Sequence, residues 1–403
     1  MKRDILIVGR RRLELVNRLV LDPRLRLSLI TEPDCLPIYP AVDAVELVGN
    51  VQNLDEVRHA ALRLMANRRV DAVVAPAESS IPTGGYLRSY LGLPGIAFDV
   101  AHAFCNKHAM KARLRRAGIP VARDRLVPSA EGIAPALRAH GLPAVIKPVW
   151  GDGSANIHIV RDETDVAEVA RPDGPLLAGG AYDEPPFLVE EFLQFDDEFH
   201  CDGLVRDGEV RFTAVSQYLV PSLRSIGSVF GSYTLPVDDP LTLELTALHA
   251  DVVKAMGLID SVTHLEIFRT ERGLVVGEIA CRPGGSGIAR NLRRAYGFDT
   301  WEHFLATELN DPLPWRPKTP DGTYGWIMFP VRRGTVRRVS DADVFAGLTE
   351  VEEVAVKVKP GDVIDGPLYS SSMSAVVHCR TESPADIAAL VSAVEDRFTV
   401  EYE

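Results

Sequence analysis

Short apolar runs alternate with stretches of helical periodicity over the first hundred residues. The runs are 5–8, 27–30, 45–48, 72–75 and 95–98. Between them, 13–21 and 54–66 repeat apolar positions at helical spacing, the second opening on the capping candidates Asn53 and Asp55. Alternation of this kind predicts a parallel α/β sheet. Gly9 follows the first run, but no GxGxxG is present, so a dinucleotide reading is poor. Residues 100–120 read as one helix stopped by Gly118-Ile119-Pro120. From Leu142 the pattern turns strand-rich, with runs at 144–147, 155–160, 187–193, 200–205, 210–215, 264–268 and 274–279. Helices are expected at 163–170, 241–256 and 300–309. A proline-rich joint (Pro312, Pro314, Pro317) precedes a last α+β segment, from about 322 to 403, that ends in a helix near 384–398. The chain reads as three units: about 1–105, 106–312 and 313–403.

Composition narrows the class. The 403 residues are enough for two to four packed units. Hydrophobic content of 46% and charged content of 25% are ordinary for a soluble globular protein. No stretch approaches the roughly 20 apolar residues that span a bilayer. The N-terminus, MKRDILIVGRRRLE, carries charge where an export signal has its apolar core, so none is expected. The five cysteines (Cys35, Cys105, Cys201, Cys281 and Cys379) are scattered and form no CxxC, as expected of reduced thiols in a cytoplasmic protein. A net charge of −12 argues against general nucleic-acid binding, which needs clustered Lys and Arg. An anionic ligand would be met by a few placed cations and by metal.

Two acids stand out. Glu266 in HLEIF and Glu278 in VVGEIA flank the polar turn RTERG. A hairpin centred on Arg272 places them opposite one another, with Cβ atoms about 5 Å apart on one face. Two facing carboxylates in apolar strands repel, and a divalent cation such as Mg²⁺ offsets that repulsion. The bland alternative is two glutamates on an exposed sheet face. Arg282 follows in EIACRPGGSG, where a guanidinium could hold a carboxylate or stabilise an oxyanion, or simply pair with a glutamate. Lys147 ends a run (PAVIK) before PVWGDGSA. A lysine before a glycine-containing loop can cradle phosphate, although the same turn suits an ordinary hairpin and no Walker A sequence follows. In FLVEEFL, Glu190 and Glu191 end an apolar strand whose backbone could meet an adenine edge. Glu198 could accept from ribose hydroxyls or be a solvated loop acid. The Ser/Gly-rich stretch 220–233 is expected to form part of a mobile lid or an ordinary surface loop. His264, Tyr218 and His200 could lie near the site, though a histidine on a strand is more often structural.

Taken in order, these pieces resemble a known superfamily. Asn-Lys-x-x-Met-Lys and GIP, then V-I-K-P with its Gly/Ser loop, then V-E-E-F-L and a following Glu, then Glu…Glu-x-x-x-Arg-x-Gly-Gly, are similar to ATP-grasp enzymes. The likeness is greatest to the carboxylate–amine ligases that include bacterial L-amino acid (dipeptide) ligases. It covers essentially the whole chain and is most specific over 106–290. It implies an α/β and α+β fold: a Rossmann-like N-terminal domain (1–105), a two-lobed ATP-grasp domain (106–185 and 186–312) and a small C-terminal α+β domain (313–403). By position, the resemblance gives Lys107 and Lys147 to the ATP phosphates and Gly151, Gly153 and Ser154 to the loop covering them. Glu190, Glu191 and Leu193 line the adenine hinge, Glu198 holds the ribose, and Glu266 and Glu278 ligate Mg²⁺. Lys147 and Arg282 are the expected catalytic residues. Ala280 departs from the family, many of whose members have Asn there, and leaves the metal count open. The implied substrates are a small carboxylate and an amine, expected to be amino acids, and a homodimer is the base-rate expectation. The competing expectations are a carboxylating ATP-grasp enzyme and a non-catalytic nucleotide-binding regulator.

Overall fold

The computed structural model describes residues 2–10, 13–151, 153, 155–177, 184–221, 227–366, 368 and 372–403. The apolar runs of the first hundred residues form a parallel sheet of β1 (Arg3–Val8), β2 (Leu25–Thr31), β3 (Ala44–Leu47) and β4 (Ala72–Val74), in the order β3-β2-β1-β4. Successive side chains of β1 serve opposite faces. Ile5 and Ile7 enter one core with helix Leu13–Val20, and Leu6 and Val8 enter another with helix Leu54–Met65. A sheet covered on both faces explains why these strands read as unbroken apolar runs. Asn53 caps the second helix by accepting from the Asp55 and Glu56 amides.

The expected strand at 95–98 does not form. Gly95 takes φ +113 and Phe98 already opens helix Phe98–Cys105. The single helix expected over 100–120 is two, Phe98–Cys105 and Lys107–Arg116, broken where Asn106 turns extended (φ −95, ψ 104) and caps the second through the Ala109 amide. Helix Ile81–Leu91 was not foreseen; Pro82, Gly84 and Gly85 are poor helix formers. Packing requires those glycines: a Cβ on Gly84 would lie 2.4 Å from the Ala75 Cβ, and one on Gly85 2.6 Å from that of Ala101. From this helix the buried Arg88 donates to the Val73 carbonyl at 2.9 Å and pairs with the buried Glu308.

A four-stranded antiparallel sheet follows: β5 (Asp124–Val127), β6 (Ala144–Pro148), β7 (His158–Val160) and β8 (Phe187–Glu191), in the order β5-β8-β6-β7. Helices Ile133–His140, not foreseen, and Glu163–Val169 cover it. The run at 155–160 pairs only over its second half, since Asn156 sits at φ +55.

The largest element is an eight-stranded antiparallel sheet. It contains β9 (Asp197–Arg206), β10 (Glu209–Tyr218), β11 (Phe230–Thr234), β12 (Ser261–Thr270), β13 (Gly273–Ala280) and β14 (Thr323–Pro330). After β15 (Gly334–Val339) come β16 (Val351–Val356), β17 (Val363–Ile364), β18 (Met373–Thr381) and β19 (Val400–Tyr402). The order is β13-β12-β9-β10-β11-β14-β18-β16, so the C-terminal strands β14, β16 and β18 extend the sheet begun by β9–β13. The seam is β11, paired with both β10 and β14. The stretch 220–233 is therefore not a loop throughout: its last four residues belong to a central strand, while 222–226 lie outside the described residues. A small sheet, β17-β15-β19, completes the chain. Among the described residues, no helix is long and apolar enough to cross a membrane.

Candidate active site

The two acids meet through a register slip. Pairing in the β12–β13 hairpin runs from Thr270↔Gly273 to Ile267↔Val276 around the two-residue turn Glu271-Arg272. It then shifts by one, so that Glu266 faces Glu278 and Gly277 is the extra residue. Without the slip, Glu266 would face Gly277 and Glu278 would point to the other side of the sheet. The expected pairing is therefore present, reached through a bulge rather than a turn centred on Arg272. Glycine suits the bulge because a Cβ there would lie 2.7 Å from the Phe268 ring.

Facing each other, the two carboxyls behave differently. Burial and the charge of Glu266 push Glu278 above the usual carboxylate range, against the pull of Lys107, whose Nζ lies 3.4 Å from Oε1. Burial acts on Glu266 in the same sense, but the hydrogen bond and charge of His264 outweigh it and hold Glu266 below that range. Both side chains keep about a quarter of their surface accessible, 29% for Glu266 and 26% for Glu278. Two opposed, partly exposed carboxylates are hard oxygen donors, and this set fits a magnesium ion.

The Asn-Lys-x-x-Met-Lys segment supplies two cations one helical turn apart on the same face. Lys107 reaches Glu278 and donates to the Gly151 carbonyl at the start of the glycine loop. Lys111, the motif's last residue, to which the sequence reading gave no role, is buried. It lies 3.4 Å from Glu190 and donates to the Gly277 carbonyl in the bulge at 3.3 Å. Lys147 on β6 is a diagonal neighbour of Glu190 on β8, and its Nζ stands 3.0 Å from Oε1. Burial would raise Glu190, but Lys111 and Lys147 together pull it below the ordinary range. The Glu190 carboxylate thus holds two lysines. Glu191 is committed as well, to Arg272 and Arg123, which overcome its partial burial and bring it to about 2. Any adenine contact at this hinge falls to backbone, with Leu193 half-buried just beyond β8. If Lys147 meets phosphate, Lys147→Ala weakens ATP binding by about 1–3 kcal/mol, the range for losing a charge-assisted hydrogen bond. Titration calorimetry with ATP reads this, and unchanged affinity removes Lys147 from the phosphate site.

Glu198 is not a loop acid; it lies on β9 and is buried, close enough to Tyr218 for its charge to raise that phenol. Arg282 is buried too. It donates through Nε to Glu78 at 2.7 Å and through a terminal nitrogen to the Pro283 carbonyl at 3.0 Å. Glu78, not foreseen, sits just past the C-terminal end of β4, the position where open parallel sheets place ligand-binding groups. That rule was the only sequence signal for it. Gly151 (φ +122) and Gly153 (φ +63) take conformations that favour glycine, and Ser154 lies outside the described residues. Lys107, Glu278 and Glu266 are thus joined by an ion pair and the shared hairpin, Lys147 and Glu190 are joined to the hairpin through Lys111, and Arg282, two residues past β13, pairs with Glu78.

Comparison with known proteins identifies the family. Residues 140–290 match the family described as ATP-grasp domain, and 326–403 match L-amino acid ligase C-terminal domain 2. The chain is 32% identical over 376 residues to an L-arginine-specific L-amino acid ligase of Bacillus subtilis, covering 93% of this chain and 91% of that protein. It is 26% identical over 266 residues to the alanine–anticapsin ligase of Bacillus subtilis, covering 61% of this chain and 55% of that one. The crystal structure of an L-amino acid ligase from Bacillus licheniformis superposes with a TM-score of 0.76 over 100% of this chain and 99% of that one; at 18% identity, this likeness shows the fold. By sequence over nearly its full length, this chain belongs to the L-amino acid ligases, ATP-grasp enzymes that form amide bonds.

Proposed function

We propose that this enzyme joins two amino acids, one reacting through its carboxylate and one through its amine, by way of an acyl phosphate, with release of ADP and phosphate. The observation that carries the reading is the facing Glu266–Glu278 pair, ringed by Lys107, by the Lys111–Glu190–Lys147 cluster and by the Glu78–Arg282 pair. The identity to a full-length relative named as an L-amino acid ligase favours amide formation over a carboxylating or regulatory role. We assign the three functional units to about 1–105, 106–312 and 313–403, with the nucleotide between the β5–β8 sheet and the β12–β13 hairpin.

In this mechanism Glu266 and Glu278 would hold Mg²⁺, which supplies neutralisation of the triphosphate charge. Lys107 and Lys147 hold phosphate oxygens, each kept in place by a carboxylate of the site. Gly151, Gly153 and Ser154 cover the phosphates, and excluding water there protects an acyl phosphate from hydrolysis. The backbone of Glu190, Glu191 and Leu193 meets the adenine edge, and Glu198 accepts from the ribose. Arg282 faces the carboxylate to be activated and, when the amine attacks, donates to the oxyanion that forms. Glu78 shares that position with a negative charge. Together the pair suits both groups of an α-amino acid: guanidinium for its carboxylate and carboxylate for its ammonium. Five buried, unpaired cysteines support a reducing compartment, and we place the enzyme in the cytoplasm.

The acyl phosphate route has an isotopic signature. An acid labelled with heavy oxygen in its carboxylate passes one labelled oxygen to the γ-phosphorus and keeps the other in the amide. The released phosphate is expected to carry one label per turnover, read by mass spectrometry. Unlabelled phosphate would show that the acid is never phosphorylated.

A further inference from the structure

A buried polar chain leads across the large sheet to the Glu266 carboxylate. The Trp326 indole N–H donates to Ser232 Oγ at 2.7 Å, and Ser232 meets His200 Nε2 at 2.8 Å. His200 Nδ1 lies 2.6 Å from Asp202 Oδ2, and the other oxygen of Asp202 is 2.9 Å from His264 Nδ1. His264 Nε2 then stands 3.5 Å from Glu266 Oε1. An indole can only donate, so Ser232 accepts from Trp326, and a carboxylate held ionised as Asp202 is can only accept. Both histidines therefore donate to Asp202 through Nδ1, and Nε2 of His264 faces Glu266. His200, Asp202 and His264 bring their ligand-type atoms within 4.8 Å of one another, as a metal site would. Each of those atoms is already engaged in the chain, and among its described members Glu266 is the most exposed.

Two features keep the last link in register. His264 and Asp202 are cross-strand partners on β12 and β9, while the partner of His264 on β13 is Ala280, whose methyl leaves the ring unobstructed. Gly284, in the glycine stretch after Arg282, lies over the pair: a Cβ there would sit 2.9 Å from His264 Nδ1 and 3.0 Å from Asp202 Oδ1. A glycine placed where a methyl would crowd both partners lies above this largely buried His–Asp bond.

We propose that His264, oriented by Asp202, is a positioning residue that fixes the Glu266 carboxylate to receive the divalent cation. This rests on Glu266 being a metal ligand. Hydrogen-bonded partners of metal ligands typically govern about 10–100-fold in metal affinity.

The test is Mn²⁺ binding to the full-length protein with ADP, followed by electron paramagnetic resonance, alongside metal-free ADP binding. His264→Leu is expected to weaken Mn²⁺ by about 10–100-fold and to leave metal-free ADP affinity unchanged. His264→Gln keeps an N–H for Glu266 and should recover most of the loss. If His264→Leu fails to fold, Gly284→Ala carries the test, since its methyl displaces the His264–Asp202 pair and should weaken Mn²⁺ in the same way. Mn²⁺ affinity that survives these variants but is lost in Glu266→Gln overturns the positioning role. Affinity that survives Glu266→Gln as well overturns the metal reading beneath it. A nitrogen hyperfine coupling on bound Mn²⁺ would make His264 a ligand, and that too overturns the proposal.

Discussion

Glu278→Gln is expected to cut turnover by roughly a thousandfold while the folded state survives undiminished. The substitution keeps shape and removes only charge. Losing one of two anionic metal donors removes several kcal/mol of charge stabilisation during phosphoryl transfer, and about 4 kcal/mol corresponds to three decades in rate. Stability moves the other way. The fold disfavours ionised Glu278, through burial and through Glu266 opposite. A neutral amide relieves both, at the cost of a contact with Lys107, so the melting temperature should hold or rise slightly. Steady-state ADP release and a thermal melt on the same preparation read the two effects. Turnover near wild type would take Glu278 out of the metal site; a collapsed melt would mean its role is structural.

Arg282→Lys retains charge and tests geometry. A guanidinium has several donors in a fixed plane, so it can keep Glu78 on one edge and address a substrate from another. A lysine ammonium has no such plane and is drawn to Glu78 alone. If Arg282 donates to the developing oxyanion, kcat should fall about 10²–10³-fold, the usual effect of losing one such donor. KM for ATP should change little, because the nucleotide lysines belong to other elements. A large rise in KM for ATP with kcat preserved would instead make Arg282 part of the nucleotide site.

Local pattern made some of this visible in the sequence, and distance hid the rest. The strands β1, β2 and β4 were legible because a doubly covered sheet demands unbroken apolar runs. The Glu266–Glu278 pairing was legible because both acids interrupt apolar strands around one short turn. The slip at Gly277 that delivers it was not, since a bulge leaves only a glycine as its trace. Helix Ile81–Leu91 was masked by Pro82, Gly84 and Gly85, and the two glycines are there because they pack against Ala75 and Ala101. Strand β11 was hidden in a Ser/Gly-rich stretch, and its neighbour β14 lies some ninety residues further along the chain. Glu78 and Arg282 are 204 positions apart, so no window could join them. The hold of Glu190 on two lysines was not legible, because Lys111 comes from a helix far earlier in the chain. The ordered motifs carried the family where single residues could not.

The central claim is the joining of a carboxylate to an amine at the expense of ATP. Its most direct measurement is ADP and phosphate release with Mg-ATP over a matrix of amino acids and small carboxylic acids, offered singly and in pairs, with product masses. The account predicts ADP release that requires both partners and a product lighter by one water than their sum. ADP release sustained by bicarbonate alone, or a matrix silent throughout, would contradict it.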